Sequence, residues 1–170
     1  MPGSRGGAVY SICFKDSFIF AGIKGGVYVS SDDGEHWKKV NPDLPPREHE
    51  AIVLSLAVAG ETIIAAFNEP GVYISSDEGY NWHQADIYAS LRKSPFVIAA
   101  NKNFIIVGNS IGNTYKSYDN ALIWELDTLS NVTSFAIKDS IVLAQLASGV
   151  YFYQLQAGNV ILTKKFVPMK

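Results

Sequence analysis

Short runs of apolar residues separated by turn residues recur along the whole chain, and no stretch carries the period of a long helix. Ile52 to Val58 (IVLSLAV) is almost continuously apolar, the pattern of a strand covered on both faces, whereas runs such as Trp37-Lys38-Lys39-Val40 alternate more. Turn signals part the runs at Lys15-Asp16, Ala59-Gly60, Lys102-Asn103 and Lys138-Asp139. The runs group in fours, at 8–14, 17–22, 26–31 and 36–40, then 51–58, 61–67, 71–75 and 81–87. They continue at 95–100, 103–108, 113–117 and 122–127, and end at 131–137, 140–146, 149–154 and 159–166. Four strands per repeat of roughly forty residues make a propeller blade. The expected fold is all-β: a β-propeller built from four four-stranded antiparallel blades, about 8–40, 51–87, 95–127 and 131–166, in a single domain over 1–170.

The sequence repeats in register with these groups. Ser30-Ser31-Asp32-Asp33-Gly34-Glu35-His36-Trp37 recurs as Ser75-Ser76-Asp77-Glu78-Gly79-Tyr80-Asn81-Trp82. A worn copy follows as Ser117-Tyr118-Asp119-Asn120-Ala121-Leu122-Ile123-Trp124. Ahead of them stand Gly26-Val27-Tyr28-Val29, Gly71-Val72-Tyr73-Ile74 and Asn113-Thr114-Tyr115-Lys116. Gly149-Val150-Tyr151-Phe152 continues that series without a box after it. Phe18 to Ala21, Thr62 to Ala65, Phe104 to Val107 and Ile141 to Ala144 form another repeated column.

Between a third and a fourth strand, Asp32, Asp77 and Asp119 are placed to accept hydrogen bonds from nearby backbone N–H groups. Gly34 and Gly79 supply a positive φ there; Ala121 departs from the pattern, so the third turn is expected to be reshaped. Trp37, Trp82 and Trp124 are expected to fold back and pack between blades. The fourth unit has Leu155, Ala157 and Val160 in these positions and lacks the device. The acidic pairs do not form a calcium loop, because the twelve-residue ligand pattern closing on a bidentate Glu is missing.

The box and its place in the repeat resemble the Asp-box (BNR) repeat of sialidase-like propellers, over nearly the whole chain from about residue 8 to 166. The resemblance implies that Ser30, Asp32, Gly34 and Trp37, Ser75, Asp77, Gly79 and Trp82, and Ser117, Asp119 and Trp124 form structural turns on the face away from a binding site. It carries no single function, since such propellers include sialidases, other glycosidases, sorting receptors, photosystem assembly factors and non-catalytic binding proteins. The resembled sialidases use three arginines, a Tyr–Glu nucleophile pair, an Asp acid and six blades. The chain has three arginines, but no Tyr–Glu pair or acid is assignable by motif, and the arginine motif around Ile-Pro is missing. A non-catalytic binding or scaffold module is the first expectation, with no catalytic residue assigned; the alternative is a sialidase-like glycoside hydrolase.

On the face opposite the boxes, the segments 41–50, 84–94 and 128–130 and the loops 23–25, 67–70, 108–112 and 145–148 are the candidate binding elements. Arg5, Arg47 and Arg92 each precede a blade's first strand. If they converge, three guanidiniums clamp a carboxylate or phosphate; the competing reading is three separate surface arginines. Glu48-His49-Glu50 reads as a solvated loop, because adjacent residues of a strand point to opposite sides. His36 and His83 fall at different repeat positions, so no shared ligand set, no metal and no cofactor is expected. The ligand is a glycan, a protein or a small anion.

Composition narrows the partners. With 14 Lys and Arg against 16 Asp and Glu, net charge −2, the chain lacks the basic face of a nucleic-acid binder. No apolar run is long enough to span a membrane and no signal peptide is visible at the start of the chain, and its compartment stays open. Cys13, the single cysteine, lies in the run Ile12-Cys13-Phe14 and is expected to be a buried small hydrophobe. Asn131-Val132-Thr133 matches a glycosylation sequon. Blades bearing Trp37, Trp82, Phe18 and Phe104 are bulky for a ring of four, which turns a quarter circle per blade. A homodimer forming an eight-bladed ring is expected first, ahead of a closed four-bladed ring or a piece of a longer chain.

Overall fold

The computed structural model describes residues 8–40, 52–68, 71–87, 95–109, 112–138, 141–146, 151–157 and 160–166. Every regular element among them is a strand, and none is a helix long and apolar enough to cross a membrane. The first sheet holds β1 (Val9–Lys15), β2 (Phe18–Ile23), β3 (Gly26–Ser30) and β4 (Lys38–Lys39). The second holds β5 (Val53–Ala59), β6 (Thr62–Phe67), β7 (Val72–Ser75) and β8 (His83–Gln84). The third holds β9 (Pro95–Ala100), β10 (Ile105–Asn109), β11 (Asn113–Ser117) and β12 (Glu125–Ser130). The fourth holds β13 (Val132–Lys138), β14 (Ile141–Leu146), β15 (Tyr151–Ala157) and β16 (Val160–Phe166). Each is an antiparallel meander with its strands in sequence order.

The sheets stack face to face in chain order, with β1 against β5, β5 against β9, and β9 against β13. Strict alternation along each strand supplies both faces. In β6, Ile63, Ala65 and Phe67 join Phe20, Val27 and Val40 between the first two sheets. Ile64 and Ala66 of the same strand join Ile98, Ile105 and Val107 between the second and third. Phe104, Ile106, Val132, Val142 and Ala144 form a third cluster between the last two. Blade-on-blade packing with the first strand of each sheet innermost is a propeller arrangement, with four blades. The blades approach closely where Gly22 lies under β5: a Cβ there would stand 2.6 Å from Val53 Cγ1.

The outer strands β4 and β8 are two residues each, shorter than the expected runs 36–40 and 81–87. The turn before each of them holds the chain in its own hydrogen bonds, and the ladder resumes only for Val40 N–H to Val27 O and Ala85 N–H to Val72 O. In the fourth blade, where the box is missing, the β15–β16 ladder runs unbroken from Tyr151↔Phe166 to Ala157↔Val160.

Candidate functional site

The three box turns share one hydrogen-bond pattern. Ser30 Oγ donates to Asp32 Oδ1 at 2.8 Å and accepts from Gly34 N–H at 2.9 Å, and Asp32 Oδ1 accepts from His36 N–H at 2.9 Å. Ser75, Asp77, Gly79 and Asn81 repeat this at 2.8, 2.9 and 2.8 Å, and Ser117, Asp119, Ala121 and Ile123 at 2.8, 2.9 and 2.9 Å. The serine hydroxyl and the backbone N–H that donate to the carboxylate stabilise its charged form. The His36 N–H first, then its ring and the Ser30 hydroxyl, hold Asp32 down at about 2. The N–H of Asn81 and of Ile123 lead the same downward shift at Asp77 and Asp119.

The expectation of a reshaped third turn is corrected. Ala121 keeps the turn and takes φ 70°, beside 91° at Gly34 and 85° at Gly79. A second positive-φ position precedes it in each copy, at Asp33, Glu78 and Asn120. A left-handed Ala costs about 1–2 kcal/mol, which the Ser117 and Asp119 bonds, repeated from the other two turns, and the burial of Ala121 in the core between blades two and three offset.

The tryptophans divide. Trp82 Nε1 donates to Gly79 O at 2.7 Å and to Val40 O of the preceding blade at 3.2 Å, and its ring packs on the core between blades one and two. Trp124 donates to Ala121 O at 3.1 Å and packs on the core between blades two and three. Trp37 donates only to Gly34 O at 2.9 Å and remains 43% exposed, which corrects the expectation of inter-blade packing at this copy. The reason is topological: among the described residues no blade packs on the outer side of blade one.

Polar contacts between blades were missed at the sequence level. Ser11 Oγ accepts from Leu56 N–H at 2.8 Å, and Ser55 Oγ from Ile98 N–H at 3.0 Å. Leu56 and Ile98 stand on innermost strands, whose N–H groups alternate between the ladder and the axis, so a serine of the neighbouring blade serves the free one. Lys15 Nζ reaches Glu61 at 2.9 Å and Glu78 at 3.1 Å on blade two, and these two hydrogen-bonded carboxylates raise its pKa. The signal was present, since Ser11 and Ser55 occupy one repeat column. Cys13 is half-buried beside the same core, and desolvation pushes its thiol up to about 12.

At the end opposite the boxes, the described loops are tied by asparagines. Asn68 Oδ1 accepts from Ile52 N–H at 2.7 Å, and Asn109 Oδ1 from Asn113 N–H at 2.8 Å. Asn131 N–H reaches Gly112 O at 2.7 Å, and the exposed Asn131 side chain lies over Gly112. Of the described carboxylates, Asp16, Asp32, Asp33, Glu35, Glu61, Asp77, Glu78 and Asp119 belong to turns at the box end, Glu125 and Asp127 to β12, where Asp127 is buried against Lys116 at 2.6 Å, and the exposed Asp86 to the segment after β8 at the opposite end. Among the described residues no three His, Cys, Asp or Glu side chains gather as a metal site. Arg5, Arg47, Arg92 and the Glu48-His49-Glu50 trio lie outside the described residues.

No protein-family model and no curated protein sequence matches this chain. Its fold is similar to that of YCF48 from Cyanidioschyzon merolae, at 16% identity and TM-score 0.71, over 96% of this chain and 57% of that one. A structure of YCF48 bound to D1 peptide gives 17% identity and TM-score 0.67, over 94% and 55%. An ancestral GH74 enzyme gives 19% and 0.69, over 87% of this chain and 23% of that one. The chain therefore spans little more than half the length of the YCF48 structures. At these identities the likeness shows the fold, an all-β propeller of four blades.

Proposed function

We propose that this chain is a non-catalytic propeller module of the Asp-box kind, one domain over 1–170, that holds a protein or peptide segment on the face opposite the box turns. A second copy completes the ring. The carrying observation is the distribution of polar groups: the acidic turns crowd one end, while the other presents Lys24, asparagine-tied loops and Asp86, with Asp127 of β12 held in a buried pair with Lys116. Glycoside hydrolysis needs two opposed carboxylates across the sugar, which this end does not offer among its described residues. A peptide ligand is in keeping with the fold likeness to YCF48 in a structure bound to D1 peptide. Arg5, Arg47 and Arg92 are the candidates for gripping an acidic group of that ligand.

The test is selection of binders from a displayed peptide library, followed by titration of the selected peptides against variants. Arg47→Ala, Arg92→Ala and Lys24→Ala are expected to weaken binding, and Glu35→Ala at the box end to leave it unchanged. Peptides that respond only to the box-end variant would overturn the assignment of the face. Fluorogenic sialosides and glucosides are expected to turn over no faster than in buffer; turnover abolished by a single carboxylate substitution would overturn the non-catalytic reading.

A further inference from the structure

Among the described residues, the outer faces of blade one and of blade four are uncovered, and they match. In blade one, Val9, Ile12 and Phe14 are 53%, 55% and 68% exposed, at the register positions that face away from blade two. They correspond by register to Val53, Leu56 and Val58 of β5, of which Val53 and Leu56 pack on blade one: Val9↔Ile23 pairs as Val53↔Phe67 does, Ile12↔Ala21 as Leu56↔Ala65, and Phe14↔Ile19 as Val58↔Ile63. This is a receiving face with no donor on it. A run of exposed large apolar side chains on one sheet marks an interaction surface.

Blade four carries the donor face. Ser134↔Gln145 and Lys138↔Ile141 are the register equivalents of Ser11↔Gly22 and Lys15↔Phe18. Ser134, Ala136 and Lys138 thus repeat Ser11, Cys13 and Lys15, and all three are exposed. Leu143, half exposed, stands where Phe20 and Ile64 stand in the covered faces of blades one and two. The receiving groups recur as well. Ile12 N–H occupies the position of Leu56 N–H, and Asp33 that of Glu78 in its box turn, with the same positive φ.

We propose that the open face of blade four docks on the open face of blade one of a second copy, and the reverse, so that two chains close one eight-bladed ring. This rests on the self-association proposed above and assigns its contacts. Ser134 accepts from the backbone N–H at Ile12, Lys138 pairs with Asp33, and Leu143 packs on Ile12 and Phe14. The two open faces are complementary in charge, Lys138 meeting the acidic turn at Asp33 as Lys15 meets Glu78. Trp37 gains the preceding blade that Trp82 has in Val40. Gln145 departs from the pattern. It stands where Gly22 admits Val53, so in the ring its side chain turns off the contact to admit Val9.

Light scattering on a sizing column is expected to give twice the chain mass of 18.6 kDa. Phe14→Asp and Lys138→Glu each are expected to raise the dissociation constant about tenfold or more, the scale for breaking a desolvated contact. Both sites are exposed in the single chain, so melts of the variants report folding separately. Asp33→Lys combined with Lys138→Glu is expected to restore association. Tryptophan emission is expected to shift to shorter wavelength on association, and to lose that shift in Trp37→Phe. A monomer at tens of micromolar overturns self-association and this docking together. A dimer indifferent to Phe14→Asp and Lys138→Glu overturns the docking and leaves self-association standing.

Discussion

Trp82 Nε1 donates to the carbonyl of Val40 in the preceding blade, 3.2 Å away, while Trp37, its repeat equivalent, has no such partner. One residue type at one repeat position thus has two environments. Trp82→Ala removes a packed aromatic and an inter-blade hydrogen bond, and is expected to lower stability by about 3–5 kcal/mol. Trp37→Ala, measured on dissociated chain, is expected to cost less than about 1.5 kcal/mol. Denaturant titration of the two variants side by side makes the comparison. Equal losses would mean that Trp82 draws nothing from its neighbour blade.

The box glycines differ in the same way. At Gly34 an added Cβ would find Trp37 Cζ2 at 3.8 Å, ordinary contact; at Gly79 it would find Val40 Cγ2 at 2.9 Å. Both substitutions to Ala carry the left-handed backbone cost of about 1–2 kcal/mol, and the structure tolerates it at Ala121. Gly79→Ala adds overpacking, typically a further ~1–3 kcal/mol. Thermal melts are expected to rank Gly79→Ala below Gly34→Ala; the opposite order would show that blades one and two do not pack as described.

Ser55 Oγ serves Ile98 N–H across the interface between blades two and three. Ser55→Ala leaves that donor facing the interior of the stack, at a cost of about 1–3 kcal/mol. Ser55→Thr keeps the hydroxyl and is expected to lose less by chemical denaturation. In Ser55→Ala, hydrogen exchange at Ile98 is expected to quicken more than at Ile64, which stays in the ladder; uniform exchange would argue against a local bond.

Acid sensitivity follows from the box aspartates. Asp32, Asp77 and Asp119 have folded pKa values below the ordinary carboxylate value, led by backbone N–H donors. A lowered folded pKa contributes stability that is full above the unfolded value and is lost as pH falls through the folded one. Stability is expected to decline from about pH 5 downward, continuing toward the value near 2 at Asp32. Asp77→Asn is expected to flatten that decline, read as melting temperature against pH. An unchanged slope would move the acid response to other groups.

The short apolar runs parted by turn residues determined the strands and the grouping into four meanders, because successive side chains of a strand point to opposite faces and a blade covered on both needs apolar residues at consecutive positions. The S-x-D columns determined the turns, since a short side chain bonding its own backbone is a local device that needs no tertiary partner. Tertiary structure alone decided which copies of a column are used. Trp37 and Trp82 are alike in sequence and differ only in having a blade before them. Ser11 and Ser55 act through N–H groups more than forty residues away. Ala121 holds a turn that its own side chain disfavours, because the cores on either side of blade three fix the ends of that turn. Such choices depend on stacking order, which is a relation between distant residues and leaves no local pattern.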